Sequence, residues 1–557
     1  MTDPSLIDKS FLCGVAVSVY QNSGDRKAQW ATFDKKKLSI GESSDFWNKY
    51  KLDIGLAEEL GCNSFRISIE WSRLFPEQHQ LDKEAVQRYN DIFDCLERAG
   101  ITPNVTLHWF AHPQWFHELG EFQTEDNIPL FVEWAETAFK LFGKRAQLWA
   151  TFNEPEVASL CGHITGSHPP GKVMQFKEGG MKLCTMLRAH TAAYKAIKNL
   201  PGEFYAAVGL VHNVWWMEPK KRGPMYKHIE MLTSTANQLW GNEALMKYLK
   251  TGVFTYKHPL GKVQYKDPDG KPGCDFFGIN HYARGVLDWN FALTSKCSEV
   301  LLSDMGYPID PHSLYKAIGW ASQLKVPMYV MENGGPFDKD DTRRTKWING
   351  ALEQVKTAVR DGYDLRGYHY WTLLDNFEWN FAYRLKFGLY KWDREDPSGK
   401  RTLRNGAKVI KAWYAALPSE MQQVMESQAG KPYTNDRNAL PQDSRAPAEA
   451  SARAHSRAAA TAPKHRIKKH HHRCIQLPIW HERATAHLRG IPTDMDQTYT
   501  FQPALTISQI KVVMPVLQIL PSQSCSVSVF NRVSASELIQ LPEIQWGHAD
   551  CWSRYYA

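Results

Sequence analysis

The sequence predicts a (β/α)8 TIM barrel. Eight short apolar or β-branched segments alternate with amphipathic helical runs over roughly 400 residues, the pattern of a parallel sheet with helices outside it. Two of those segments end on a glutamate followed at once by residues that stop or turn an extended chain. No glycine-rich phosphate loop follows the first segment, which an open doubly wound sheet would require.

The predicted strands are Phe11–Val17, Ser64–Trp71, Thr102–Trp109, Leu148–Asn153, Tyr205–His212, Asp275–Tyr282, Pro327–Glu332 and Arg366–Leu373. Between them, Asp45–Leu60, Lys83–Ala99, Ile128–Phe142, Met181–Lys198 and Thr345–Asp361 carry apolar residues at helical spacing. A helix over Asn405–Ala416 closes the barrel.

The fourth strand, Leu148-Trp149-Ala150-Thr151-Phe152-Asn153, runs into Glu154-Pro155. Pro155 cannot donate a ladder hydrogen bond, so pairing stops where Asn153 and Glu154 emerge. The seventh strand repeats the design: Met328-Tyr329-Val330-Met331 runs into Glu332-Asn333-Gly334. In parallel-sheet enzymes the C-terminal end of the strands is where chemistry is placed, and two carboxylates facing one cavity are what cleavage of a glycosidic bond needs. Three strands apart on an eight-stranded rim, Glu154 and Glu332 can meet across the mouth. Arg66, His108, Trp109, Asn280, Tyr282 and Trp371 lie in or at the end of other strands, while Tyr20, Gln21, Glu378 and Trp379 follow theirs. Taken singly, His108 reads equally as a core histidine, Arg66 as a structural ion pair and Trp371 as packing; their shared face is what groups them.

Composition narrows the class. A 557-residue chain that is 43% apolar and 12% aromatic can bury a large core, and its 20 tryptophans offer the flat apolar faces that line sugar clefts. A net charge of +8 is modest for this length and does not suggest a nucleic-acid partner. The ten cysteines lack a framework spacing, and Cys13, Cys62, Cys184 and Cys274 fall in predicted strands or helices, as buried free thiols of a reducing compartment would. The start, Met1-Thr2-Asp3-Pro4-Ser5, has no basic region leading into an apolar run, and no apolar stretch reaches the roughly 18 residues of a membrane span. A soluble cytoplasmic protein without membrane insertion is expected.

Thr151-Phe152-Asn153-Glu154-Pro155, Met331-Glu332-Asn333-Gly334 and the run Trp371 to Trp379 resemble the signatures of glycoside hydrolase family 1, the β-glucosidase family. Phe65 to Arg73 and Phe277-Gly278-Ile279-Asn280-His281-Tyr282 support the match, which spans about Phe11 to Leu417. The resemblance implies a retaining mechanism in which Glu154 is the general acid/base and Glu332 the nucleophile. It places Arg66 and Tyr282 beside Glu332, and Asn153 at the sugar 2-hydroxyl. Gln21, His108, Trp109, Asn153, Glu378 and Trp379 become the shell of the non-reducing sugar, with Trp371 beneath it. It implies a small β-glycoside as substrate, no metal and no cofactor. Chemistry agrees with it: a retaining pair stands about 5–5.5 Å apart, one carboxyl protonated and one ionised, so their environments must differ. Glu378 is the acid that members acting on 6-phosphorylated sugars replace.

The chain departs from the family where Phe381-Ala382-Tyr383 stands in place of Glu-Gly-Tyr, at His281, and in a short segment over Ala283–Val326. These positions approach the leaving-group side. Three functions are therefore set against one another: a β-glucosidase that also accepts galactosides or fucosides, a transglycosidase delivering the sugar to a glycoside or glycolipid, and a non-catalytic sugar-binding barrel. Retention of two mutually repelling glutamates counts against the third.

Two segments are expected, a catalytic barrel over 1–417 and a basic, low-complexity tail over 418–557. The tail holds an Ala/Arg/Ser-rich stretch, Arg445–Ala462, and the run Lys464 to Arg473 with three adjacent histidines. A disordered tail, a polyanion-binding patch, an adventitious metal-binding run and a segment that is not an evolved protein sequence all remain open for it.

Overall fold

The computed structural model describes residues 10–428 except 34–39, 202–205, 221–225, 288–300 and 339. The expected tail beyond Gln428 and the first residue of the fifth predicted strand, Tyr205, lie outside the described residues.

Eight parallel strands close into a barrel in sequence order: β1 Leu12–Val17, β2 Ser64–Ser68, β3 Thr102–His108, β4 Leu148–Asn153, β5 Ala207–Asn213, β6 Phe276–Asn280, β7 Met328–Asn333 and β8 Leu365–Trp371. All eight correspond to predicted strands. The second, third, sixth and eighth end earlier than expected; Trp71 instead opens a short helix over Trp71–Leu74, while the preceding Glu70 accepts the Ser68 hydroxyl and the Tyr20 amide.

The main helices are α1 Phe46–Glu59, α2 Lys83–Arg98, α3 Ile128–Phe142, α4 Pro155–His163, α5 Phe176–Lys198, α6 Tyr226–Trp240, α7 Asn242–Thr251, α8 His312–Ala321, α9 Thr342–Arg360 and α10 Val409–Gln428. Helix α5 starts five residues ahead of the predicted Met181 because Gly179 and Gly180 lie inside it. A Cβ on Gly180 would sit 2.6 Å from the Tyr256 ring, so glycine here serves close packing and does not break the helix. Helix α10 begins later than expected and continues through Pro418 to Gln428. Burial of Leu417 and Met421, with Val424 and Met425 packed on the core, offsets the hydrogen bond that Pro418 forfeits. The boundary expected after Leu417 thus falls within a helix.

Strand alternation separates two apolar layers. Leu12, Leu148, Ala150, Ala207, Val211, Phe276, Tyr329 and Met331 cluster apart from the large core between sheet and helices. A polar layer joins β2, β3 and β8, where Ser64 Oγ and Asn104 Nδ2 lie 2.8 and 3.1 Å from His369 Nε2. The register slips between Ala150 and Asn153 on β4 and between Val330 and Glu332 on β7. Such irregularities re-aim side chains, and here they fall on the two strands that end in the predicted glutamates.

The six described cysteines are free; Cys13, Cys62, Cys161 and Cys184 are buried, and Cys62 and Cys274 sit in loops just ahead of strands, not within them. No helix among the described residues is long and apolar enough to cross a membrane.

Candidate active site

Glu154 is held by its backbone as much as by its sequence position. Its amide donates to Val211 O at 2.8 Å, its φ of 47° lies in the left-handed region, and Pro155 then opens α4. That turn takes the side chain off the strand; a non-glycine residue is strained there, and such strain is tolerated where the surroundings fix it. Its carboxyl receives Asn280 Nδ2 at 2.7 Å, and the same amide reaches Asn153 Oδ1 at 3.0 Å.

Glu332, at the end of β7, is held from two sides. Arg66 Nη1 donates to its Oε1 at 2.7 Å, and the Tyr282 hydroxyl donates to its Oε2. The other prong of the same guanidinium, Nη2, donates to Asn153 Oδ1 at 2.7 Å, and Nε donates to Thr106 Oγ1 at 3.2 Å. Arg66 lies 3.9 Å from the centre of the Trp109 ring, so the cation is packed as well as paired. One arginine, one asparagine of β4 and one asparagine of β6 therefore connect both carboxylates in a single buried network.

The two carboxyls are treated differently. Burial, then the charge of Glu332, then that of Glu156 hold Glu154 well above the ordinary carboxylate range. Burial also raises Glu332, but the Arg66 cation and the Tyr282 hydrogen bond oppose it, so its charged form is the better supported of the two. Glu378 is pushed up to about 8 by burial and by Glu332, against hydrogen bonding from Trp371 and Gln21. It holds its proton more firmly than an ordinary glutamate.

A cavity of about 140 Å³ opens at this end of the barrel, bordered by Gln21, Trp109, Glu154, Tyr282, Glu332, Trp371, Glu378 and Trp379 among others. Three predicted residues do not border it. Arg66 and Asn153 lie behind the glutamates and act on them, and His108 turns to His112, its Nε2 3.2 Å from His112 Nδ1. Burial pushes His108 down to about 3, so it is neutral. Gln21 Oε1 and Glu378 Oε2, both on the cavity, are buried without a hydrogen-bond partner and suit a ligand rich in hydroxyls; Asn153 Nδ2 and His108 Nδ1, which do not border it, are unpartnered as well.

Sequence reasoning assigned no role to Asn280, although its place at a strand end was a signal. It found nothing at Phe110, His168, Asn213 and Trp215, which also border the cavity. Among the described residues one group of metal-capable side chains gathers, His112, His117 and Glu121, with ligand atoms within 4.8 Å of one another. The Lys182 ammonium lies 2.9 Å from both Glu121 oxygens, so that carboxylate already has its cation.

The sequence matches glycosyl hydrolase family 1 over residues 5–422. Among curated proteins it is 28% identical over 417 residues to β-glucosidase A of Acetivibrio thermocellus, covering 68% of this chain and 92% of that protein. It is likewise 28% identical over 470 residues to a 6-phospho-β-galactosidase of Staphylococcus haemolyticus, covering 74% and 98%. Among solved structures, a β-glycosidase from Pyrococcus horikoshii superposes with a TM-score of 0.65 at 30% identity, covering 78% of this chain and 97% of that one. The family 1 β-glucosidase from Thermotoga maritima gives 0.64 at 25% identity, covering 73% and 97%.

Proposed function

The chain belongs to glycosyl hydrolase family 1, a family of O-glycosyl hydrolases, and from that premise we propose that it is a retaining β-glycosidase acting on non-reducing terminal β-D-glucosyl residues. The observation that carries this reading is the unequal treatment of two buried glutamates on one cavity: Glu332 is paired with Arg66 and Tyr282, and Glu154 faces mainly an amide and a neighbouring negative charge.

In the first step a Glu332 oxygen attacks the anomeric carbon from the face opposite the leaving group, and Glu154 gives its proton to the glycosidic oxygen as the bond to carbon breaks. A glycosyl ester forms on Glu332 and the alcohol departs. Glu154, now ionised, takes a proton from water, and the hydroxide equivalent attacks the same carbon, freeing Glu332 with the original anomeric configuration restored. Asn280 orients the Glu154 carboxyl for both transfers. Arg66 ties the nucleophile to Asn153, which is proposed to hold the 2-hydroxyl as positive charge develops on the ring. Gln21, Glu378 and Trp379 are proposed to bind the remaining hydroxyls over Trp371. His108 is proposed to reach the sugar with its unpartnered Nδ1.

Glu378 also favours an unphosphorylated sugar. A buried carboxyl on the cavity, with no lysine or arginine among the described residues bordering it, gives a 6-phosphate nothing to pair with. The test is product stereochemistry and nucleophile rescue. A β-glucoside should release β-glucose first. Glu332→Gly should lose hydrolysis while staying folded, and should form the α-glucosyl azide when azide is added. Wild-type turnover by the variant, or preference of the unmutated protein for a 6-phosphoglucoside, overturns the reading.

A further inference from the structure

We infer that the leaving-group side of the cavity takes an apolar aglycone, an alkyl or aryl alcohol, in preference to a second sugar. The inference rests on the proposed acid role of Glu154, because the proton donor marks the side on which the leaving oxygen lies. Glu154 caps α4, so the wall that continues from it along that helix belongs to the leaving group. Val157 and Leu160, spaced i and i+3 on α4, share a face and border the cavity. Trp215, Trp240 and Met305 border it as well. The two indoles pack at 4.7 Å between ring centres, and Trp240 is fixed by donating its Nε1 to Asn213 O at 2.8 Å.

Charge tells the same story. Among the described residues, the Asp, Glu, Lys and Arg side chains that border the cavity are Glu154, Glu332 and Glu378, each already assigned to the proposed reaction or to the first sugar. Among the described residues, hydrogen-bonding capacity on the leaving-group wall is limited: Asn213 Oδ1 and Trp215 Nε1 are buried polar atoms without a partner, and Ser167 and Tyr307 each bring one hydroxyl, that of Ser167 already 3.0 Å from Thr165 Oγ1. A pyranose brings several hydroxyls, and each one set against Val157, Leu160 or an indole face without a partner loses its hydration uncompensated. An alkyl chain or a phenyl ring loses nothing polar and removes apolar surface from water.

The test compares β-glucosides whose leaving alcohols are of similar acidity, so that differences report contact and not chemistry: methyl, butyl, octyl and benzyl β-glucoside, with cellobiose beside them. On the full chain kcat/KM should rise at least tenfold from methyl to octyl, and octyl should exceed cellobiose although the sugar is the better leaving group. Benzyl against octyl separates a flat aromatic site from one for flexible chains. Val157→Asn and Met305→Gln, both at partly exposed positions where a polar side chain is tolerated, should each lower the octyl-to-cellobiose ratio severalfold. A flat alkyl series with cellobiose equal or better overturns the inference while leaving the glycosidase reading standing. Failure to cleave even a nitrophenyl β-glucoside overturns both.

Discussion

Tyr282→Phe removes one hydroxyl and leaves the ring, so it isolates a single hydrogen bond to Glu332 Oε2. Glu332 is only 3% exposed, which leaves water little room to replace the lost donor. A hydrogen bond to a buried charged group contributes about 1.5–3 kcal/mol, and one pKa unit corresponds to about 1.36 kcal/mol. The Tyr282 hydroxyl stabilises only the ionised carboxylate, so its removal raises the Glu332 pKa by about one unit or more, Arg66 still holding the other oxygen at 2.7 Å. As the proposed nucleophile, Glu332 must be ionised. Activity is therefore lost at a higher pH on the acid side, and the acidic limb of kcat/KM moves up by about one unit, with a fall of about tenfold at the optimum. The limb belongs to the coupled pair and is read as such. The assay is a pH series on a chromogenic β-glucoside, with an unchanged melting curve as control. An acidic limb that stays in place while kcat/KM falls equally at every pH would refute the assignment of Tyr282 as a tuning donor.

Glu154 is raised by burial and by Glu332, and its proposed role requires the acid form, so wild-type activity should fall as pH rises through that raised value. Glu154→Gln should abolish that basic limb and slow unactivated alkyl glucosides by about 100-fold to 10,000-fold while sparing dinitrophenyl glucoside, measured side by side. Arg401 pairs with Asp53 at 2.9 Å, both side chains buried, and burial still raises Asp53 from 3.8 to about 6. Its raised pKa means that Asp53 disfavours the folded state increasingly as pH climbs from its unfolded value to about 6; Arg401→Ala, which strands the charge, should cost about 3 kcal/mol in denaturant titration at neutral pH and visibly less at acid pH, where Asp53 takes a proton. A chain ended after Gln428 should keep wild-type activity and melting behaviour. Ending it after Leu417 removes buried Met421 and the Lys356–Glu420 ion pair at 2.9 Å, and should cost about 2–5 kcal/mol of stability.

What the sequence determined by itself is local. Strand identity follows from β-branched and aromatic runs, and the positions of Glu154 and Glu332 follow from a proline and a glycine that end extended pairing within a residue or two. Number and order of strands then limited the fold to a closed parallel barrel. Tertiary structure decided what depends on residues far apart. Asn280 reaches Glu154 across 126 positions, and Arg66 reaches Glu332 across 266; an asparagine at a strand end carries no mark of the partner that closure of the barrel will bring to it. The left-handed φ of Glu154 and the register slips on β4 and β7 arise from neighbouring strands, not from propensity. His108 turns to His112, and α10 runs through a proline to Gln428, because packing outweighed local preference at both places. Burial is the common cause: it sets the unequal proton affinities of the glutamates and raises Glu378, and no stretch of sequence shows how much water a side chain will keep.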